Sequence, residues 1–177
     1  MLTIDPVADL ALRLALAAVL AIAAFHKLRD RATFEAQIAA YALLPEGLVH
    51  PMSRALPLIE GAAALFLVAR SEHAALLSAA IFIAYAGAIG INLARGRRDI
   101  DCGCGGPGRK QMLHPALVLR NLVLAIAAAT AQLPLAGRVL SIADYAVGIL
   151  AAIALLALYE AVNALIANLS SHTRLKA

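Results

Sequence analysis

Residues 74–94 carry no charged side chain, and such a run is long enough to cross a bilayer, which takes about 20 apolar residues. Lipid offers no hydrogen-bond partner to the backbone, so a segment of this kind has to be a helix. Comparable apolar segments lie at residues 7–25, 52–69, 116–137 and 145–168. Hydrophobic residues make up 63% of the chain, against about 45–50% in a soluble domain, which leaves no material for a separate water-soluble unit. The sequence therefore predicts an all-α fold: one polytopic transmembrane helix bundle over residues 1–177.

The net charge of +4 would suit nucleic acid, but the placement of the charge points elsewhere. Lys27, Arg29, Arg31 and Arg54 form one group, Arg95, Arg97, Arg98, Arg109 and Lys110 a second, and Arg174 and Lys176 close the chain. With five spans all three groups fall on one face, while the other keeps little beyond Arg70 and Arg138. The positive-inside rule then puts the C-terminus in the cytoplasm and the N-terminus outside. Lipid headgroups are the expected counterpart of the charge, not nucleic acid. The opening Met1-Leu2-Thr3-Ile4-Asp5 has no basic region and no A-x-A site follows the first apolar run, so that run is expected to stay as a span. Near its start Asp9 and Arg13 stand four apart, the spacing of a pair on one helix face.

Between the first two spans, Asp30 can cap a short helix over residues 31–43 with Phe34, Ile38 and Tyr41 on one stripe. That pattern predicts a helix lying at the membrane surface, ended by Leu44-Pro45-Glu46-Gly47. The short turn Arg70-Ser71-Glu72-His73 makes the flanking spans antiparallel neighbours. Ala80, Ala84 and Ala88 have the spacing that lets membrane helices approach closely.

Helix rise places Glu60 about 12 Å into the second span, Arg120 roughly 7 Å into the fourth and Glu160 about 12 Å from the end of the fifth. All three, with Asn92, Asn121 and Asn163, lie in the half of the bundle nearest the loop over residues 95–115. An ion in lipid costs on the order of 2.5–3.5 kcal/mol even on the insertion scale. The expectation is that Arg120 pairs with Glu60, Glu160 or both, either to fix helix packing or to serve chemistry.

The loop holds the two cysteines of the chain, Cys102 and Cys104, within Asp99-Ile100-Asp101-Cys102-Gly103-Cys104-Gly105-Gly106-Pro107-Gly108. Two thiols supply neither a disulfide framework nor an all-cysteine metal site. An extended i to i+2 separation spans roughly 6.6–7.2 Å, near the limit of about 7 Å for a bridge, so a disulfide needs a bend at Gly103. Such a ring is strained and hence readily reduced, and it closes too small a loop to stabilise the fold. The pattern points to a redox dithiol. Nearby Arg97, Arg98, Arg109 and Lys110 favour thiolate while Asp99 and Asp101 oppose it. The rival chemistry is soft-metal handling, with the two thiolates and His114 around Cu(I); His26 is a more remote candidate.

Several segments carry a resemblance: Lys27-Leu28-Arg29-Asp30, Tyr41-Ala42-Leu43-Leu44-Pro45, Leu56-Pro57-Leu58-Ile59-Glu60, Asn92-Leu93-Ala94-Arg95-Gly96, Asp99-Ile100-Asp101-Cys102-Gly103-Cys104 and Leu119-Arg120-Asn121-Leu122. In this order they resemble the methylamine-utilisation MauE family, which belongs with the DoxX-like membrane proteins. The resemblance covers the first four spans and leaves the fifth outside a four-helix core. It implies a bacterial inner-membrane protein needed to process, transport or mature the disulfide-rich β-subunit of methylamine dehydrogenase, with a thioredoxin-like companion, MauD. It also implies redox roles for Cys102 and Cys104 and importance for Glu60 and Arg120.

Three functions are consistent with these readings. The first is a membrane thiol–disulfide factor for an exported client, exchanging electrons with a thioredoxin-like protein or a membrane quinone. The second is a non-catalytic assembly scaffold, and the third a copper-handling membrane protein.

Overall fold

Asp5 opens the first helix: its carboxylate accepts from Val7 N at 2.8 Å, and Pro6, which has no N–H to satisfy, occupies the first helical position. The computed structural model describes residues 3–71, 73–103 and 111–174, with side chains through residue 168. Helix α1 spans Pro6–Arg29. Asp30 then ends one helix and begins the next, its N–H donating to His26 O and its carboxylate accepting from Thr33 N. Helix α2, Arg31–Tyr41, follows as the expected short element and stops at Ala42 in the left-handed region (φ 49°).

Helix α3, Glu46–Val68, starts six residues before the expected 52, carrying Pro51 and Pro57 in its interior. Helix α4 is Ala74–Ala94, as read from its uncharged run. Helix α5, Pro115–Thr130, is 16 residues long and ends well short of the expected 137. Pro134 disfavours helix at the residue before it, and the chain here pairs with the N-terminal segment instead. Ile4 N donates to Pro134 O at 3.0 Å and Ala136 N to Ile4 O at 2.9 Å. Helix α6, Ile142–Arg174, opens with a capping box: Ser141 N donates to the Asp144 carboxylate and Asp144 N to Ser141 Oγ.

Four helices, α1, α3, α4 and α6, are long and apolar enough to cross a membrane, and α5 is a shorter apolar helix. The molecule is a multi-pass, all-α membrane protein. Helix α1 packs against α3 and α6, and α4 against α5 and α3. The main core joins Leu16 and Leu20 to Leu67, Phe82 and a set of alanines, among them Ala63, Ala75 and Ala128. Small side chains bring the backbones close, which is how helices gain packing in lipid. Large apolar residues such as Leu65, Ile126 and Leu150 are turned outward, where acyl chains would cover them.

Polar contacts distinguish the two ends of the bundle. At the end where α1 starts, buried Asp9 accepts from Arg13 at 2.8 Å, as its spacing predicts, and also from Arg70 beyond α3. Arg13 reaches the Ala131 carbonyl at the end of α5. At the opposite end lie α2, the cysteine loop and the start of α5.

Candidate functional site

The cysteine loop is closed at its base by a two-residue antiparallel bridge. Asp101 faces Met112, Cys102 N donates to Gln111 O at 2.7 Å, and Leu113 N donates to Ile100 O at 3.1 Å. The Asp101 carboxylate turns the chain by accepting from Gly103 N (3.1 Å) and Gln111 N (3.2 Å). Gly103 has φ +74°, and a Cβ there would sit 2.6 Å from Gln37 Oε1. Gly103, which stands between the cysteines in the sequence, thus takes a positive φ that glycine adopts without strain. Cys102 is half-buried; Cys104, Arg109 and Lys110 lie outside the described residues.

Helix α2 is fastened onto this loop. Gln37 donates to Asp101 (3.3 Å) and the Tyr41 hydroxyl to Cys102 O (3.5 Å). Arg97, just beyond α4, donates to the carbonyls of Ala40 (2.8 Å) and Tyr41 (3.2 Å) and to Asn92 Oδ1. Arg95 reaches the Ala42 carbonyl. Carbonyls at a helix end lack intrahelical donors and carry partial negative charge, so two guanidinium groups satisfy both needs.

Beneath α2 lies a buried ionic cluster. The Lys27 ammonium pairs with Glu60 and donates to the Tyr85 hydroxyl at 2.9 Å, and Tyr85 donates to the same Glu60 oxygen at 2.6 Å. Lys27 also stands over the rings of Tyr85 (4.6 Å) and Phe34 (5.1 Å). Glu60 thus has in Lys27 an ion-pair partner that the sequence reading did not name. Arg120 is buried and donates to Asn163 Oδ1 at 2.6 Å, with its guanidinium 5.6 Å from the Tyr159 ring. Glu160 is exposed. The inward face of α6 runs through Gly148, Ala152, Leu156, Tyr159, Asn163 and Ile166, spaced by threes and fours, and Glu160 is off that stripe.

A cavity of about 290 Å³ opens between α2, α3 and α4. Its wall is almost wholly apolar, formed by side chains such as Phe34, Ile38, Leu56 and Ile89 together with parts of Lys27, Tyr85, Tyr41 and Cys102. Ala84 and Ala88 line it too. The alanine stripe expected to seat a neighbouring helix thus leaves space open at these two positions.

The metal reading gains no geometry here. His114 caps α5, its Nδ1 accepting from Ala116 N at 3.2 Å, and among the described residues no group of three His, Cys, Asp or Glu comes together. His26 packs edge-on against Phe25.

A family model, methylamine utilisation protein MauE, matches residues 5–134. The chain belongs to the MauE family. Its sequence is 38% identical to the methylamine utilization protein MauE of Paracoccus denitrificans over 88% of this chain and 86% of that one. It is 41% identical to the MauE of Methylophilus methylotrophus over 68% and 65%, and 39% identical to that of Paracoccus versutus over 88% and 85%. No solved structure matches. The MauE match contains Lys27, Glu60, Tyr85, Cys102 and Arg120 and ends before α6, so Tyr159 and Asn163 come to Arg120 from outside it.

Lys27 and Tyr85 are the site residues that reading the sequence missed. Lys27 stands among the basic residues of a connection, yet it continues the buried stripe Leu16, Leu20, Ala24 of α1. That periodicity was the available signal. Tyr85, set in an uncharged span, offered only its hydroxyl.

Proposed function

We propose that this protein is an inner-membrane thiol–disulfide factor of methylamine utilisation that supports maturation of an exported, disulfide-containing client, the methylamine dehydrogenase β-subunit or a protein like it. Cys102 and Cys104 form the working pair, and a thioredoxin-like protein is the exchange partner. The observation that carries the reading is the setting of Cys102: a fastened loop, a glycine bend, and a shared cavity wall with a buried Lys27–Tyr85–Glu60 cluster. A thiol held at the mouth of such a space can meet a small or macromolecular partner while its loop stays anchored. Membership in the MauE family supports the link to methylamine.

The basic residues around α2 and the cysteine loop support a cytoplasmic position for that end and for the C-terminus. Electrons are then carried between the cytoplasmic half of the membrane and a client outside.

The test is replacement of Cys102 and Cys104 by serine, singly and together, in cells grown on methylamine. Each variant should remain in the membrane at wild-type level while active dehydrogenase is lost. A single variant should accumulate a mixed disulfide with a thioredoxin-like protein. Full dehydrogenase activity in the double variant would reject the thiol mechanism and leave a docking scaffold.

A further inference from the structure

We propose that the outward face of α6 around Glu160 docks a membrane-spanning helix of another protein, one that carries a lysine or arginine inside its own apolar run. The surface is separate from the thiol chemistry, because Glu160 lies off the stripe of α6 that faces the bundle. Its depth is the first observation. Helices α1 and α6 start at the same pole and run the same way: Gly148 sits against Leu10 there, while Asn163 meets Arg120 and Gln111 toward the loop. At 1.5 Å per residue Glu160 lies about 18 Å past Gly148, level with Ile22 in the apolar run of α1. The preceding residue, Tyr159, packs against the main core. Glu160 is the one charged residue between positions 145 and 168. It is exposed, and among the described residues no ion pair includes it. Acyl chains give a carboxylate nothing to bond, and ionisable groups at such depth pair with protein groups.

The shape of the face is the second observation. Ile153, Ala157, Glu160 and Ala164 are spaced by four, three and four, which sets them on one side of the helix, and all are exposed. Ala154 and Ala161 are exposed beside them. Small side chains around Glu160 let a second backbone approach closely, which is how spanning helices gain packing in lipid.

Charge decides the occupant. A second copy of this chain would set Glu160 against Glu160. Among the described residues, moreover, its spans have no cation to offer at that depth. Lys27 and Arg120 are buried and bonded to Glu60 and Asn163, and Arg13 is held by Asp9 at the opposite pole. Arg54 adjoins Ser53, which is tied to the surface helix α2. A foreign helix that brings one lysine or arginine to the level of Glu160 satisfies both charges in a single contact.

The test uses the full chain in lipid nanodiscs. The probe is a Leu/Ala helix of about 20 residues with one lysine set to the depth of Glu160, beside the same peptide with leucine there. Photo-reactive benzoylphenylalanine in place of Ala157 reads contact, and the same group in place of Ile83, exposed on α4, is the control. The lysine peptide should cross-link at position 157 about three- to tenfold more than the leucine peptide, the range of one polar contact between membrane helices. At position 83 the two should be equal. Glu160→Leu should erase the preference, and Glu160→Lys should transfer it to a peptide carrying glutamate. Equal yields at position 157, or a preference that survives Glu160→Leu, overturn the proposal. In native membranes the adduct at position 157 should map to a spanning segment of another protein that holds lysine or arginine, and should fall with Glu160→Leu. An adduct that maps to a second copy, to another part of the same chain or to a segment without a cation overturns it as well.

Discussion

Lys27 and Glu60 illustrate what a single buried charge does to this chain. Their side chains are 7% and 1% exposed, so removing one partner strands the other, a loss of about 3–5 kcal/mol for a buried pair. Lys27→Met should therefore lower the thermal stability of the purified protein sharply. Adding Glu60→Gln to it should restore part of that loss, because the stranded carboxylate is gone; a double variant no more stable than Lys27→Met would show that the pair contributes nothing as a pair. At this scale the sequence was half legible. Glu60 and Arg120 stood out because ions within apolar runs need partners, and both are buried in polar contacts. The identity of the partners was hidden, because a lysine in a helix's last turn reads equally well as a solvated loop cation or as a continuation of the buried stripe. Only the packing of α1 against α3 decides between them.

Among the elements, α2 depends on polar fastening, since Phe34 is its one buried side chain. Toward α3, Glu35 accepts from His50 at 2.9 Å and from Ser53 at 3.1 Å. The His50 hydrogen bond holds the Glu35 carboxyl below its ordinary value, with slight burial opposing and Ser53 assisting. A carboxyl with a lowered folded value stabilises the folded contact at pH above its ordinary value, about 4.3. It loses that contribution as pH falls through the lowered value. The protection factors of the α2 amides, exchange rates corrected for the intrinsic pH dependence, should therefore fall on acidification below that point, and Glu35→Gln should flatten the response. Helix α6 depends instead on close approach. A Cβ on Gly148 would lie 2.7 Å from Leu10 Cδ2, so Gly148→Leu should push α6 from α1 at a cost of about 1–3 kcal/mol, the range for overpacking. Faster proteolysis within residues 131–141 would report it; unchanged cleavage would mean that Leu10 moves aside. The element boundaries follow the same logic. The uncharged run of α4 coincides with its helix, whereas apolar residues after Thr130 look helical until Pro134 and the pairing with Ile4 are taken into account.

For the whole molecule, apolar length and period were enough to establish an all-α membrane bundle, and short turns were enough to establish antiparallel neighbours. The cavity was beyond such reading, because space is defined by what several helices leave unfilled, and alanines on α4 look identical whether they seat a neighbour or line a void. The polar tie from Asp9 to Arg70, together with Arg13 at Ala131, groups the start of α1, the end of α3 and the end of α5 at one pole. Among the described residues, Lys27, Arg29, Arg31, Arg54, Arg95, Arg97 and Arg98 then sit toward the other. With that charge bias, a phosphatase that works only outside the cytoplasm should be inactive when fused at the C-terminus, and a fluorescent protein fused there should be bright. The opposite pair of results would reverse the proposed orientation.

Arg97 holds α2 by backbone oxygens, which every amino acid supplies. Drift in the last turn of α2 is consequently tolerated at Ala39 and Ala40, whereas position 97 admits no exchange, since lysine lacks the planar fork that reaches two carbonyls at once. Saturation mutagenesis of the two partners would yield opposite profiles, one permissive and one intolerant, from a single shared contact.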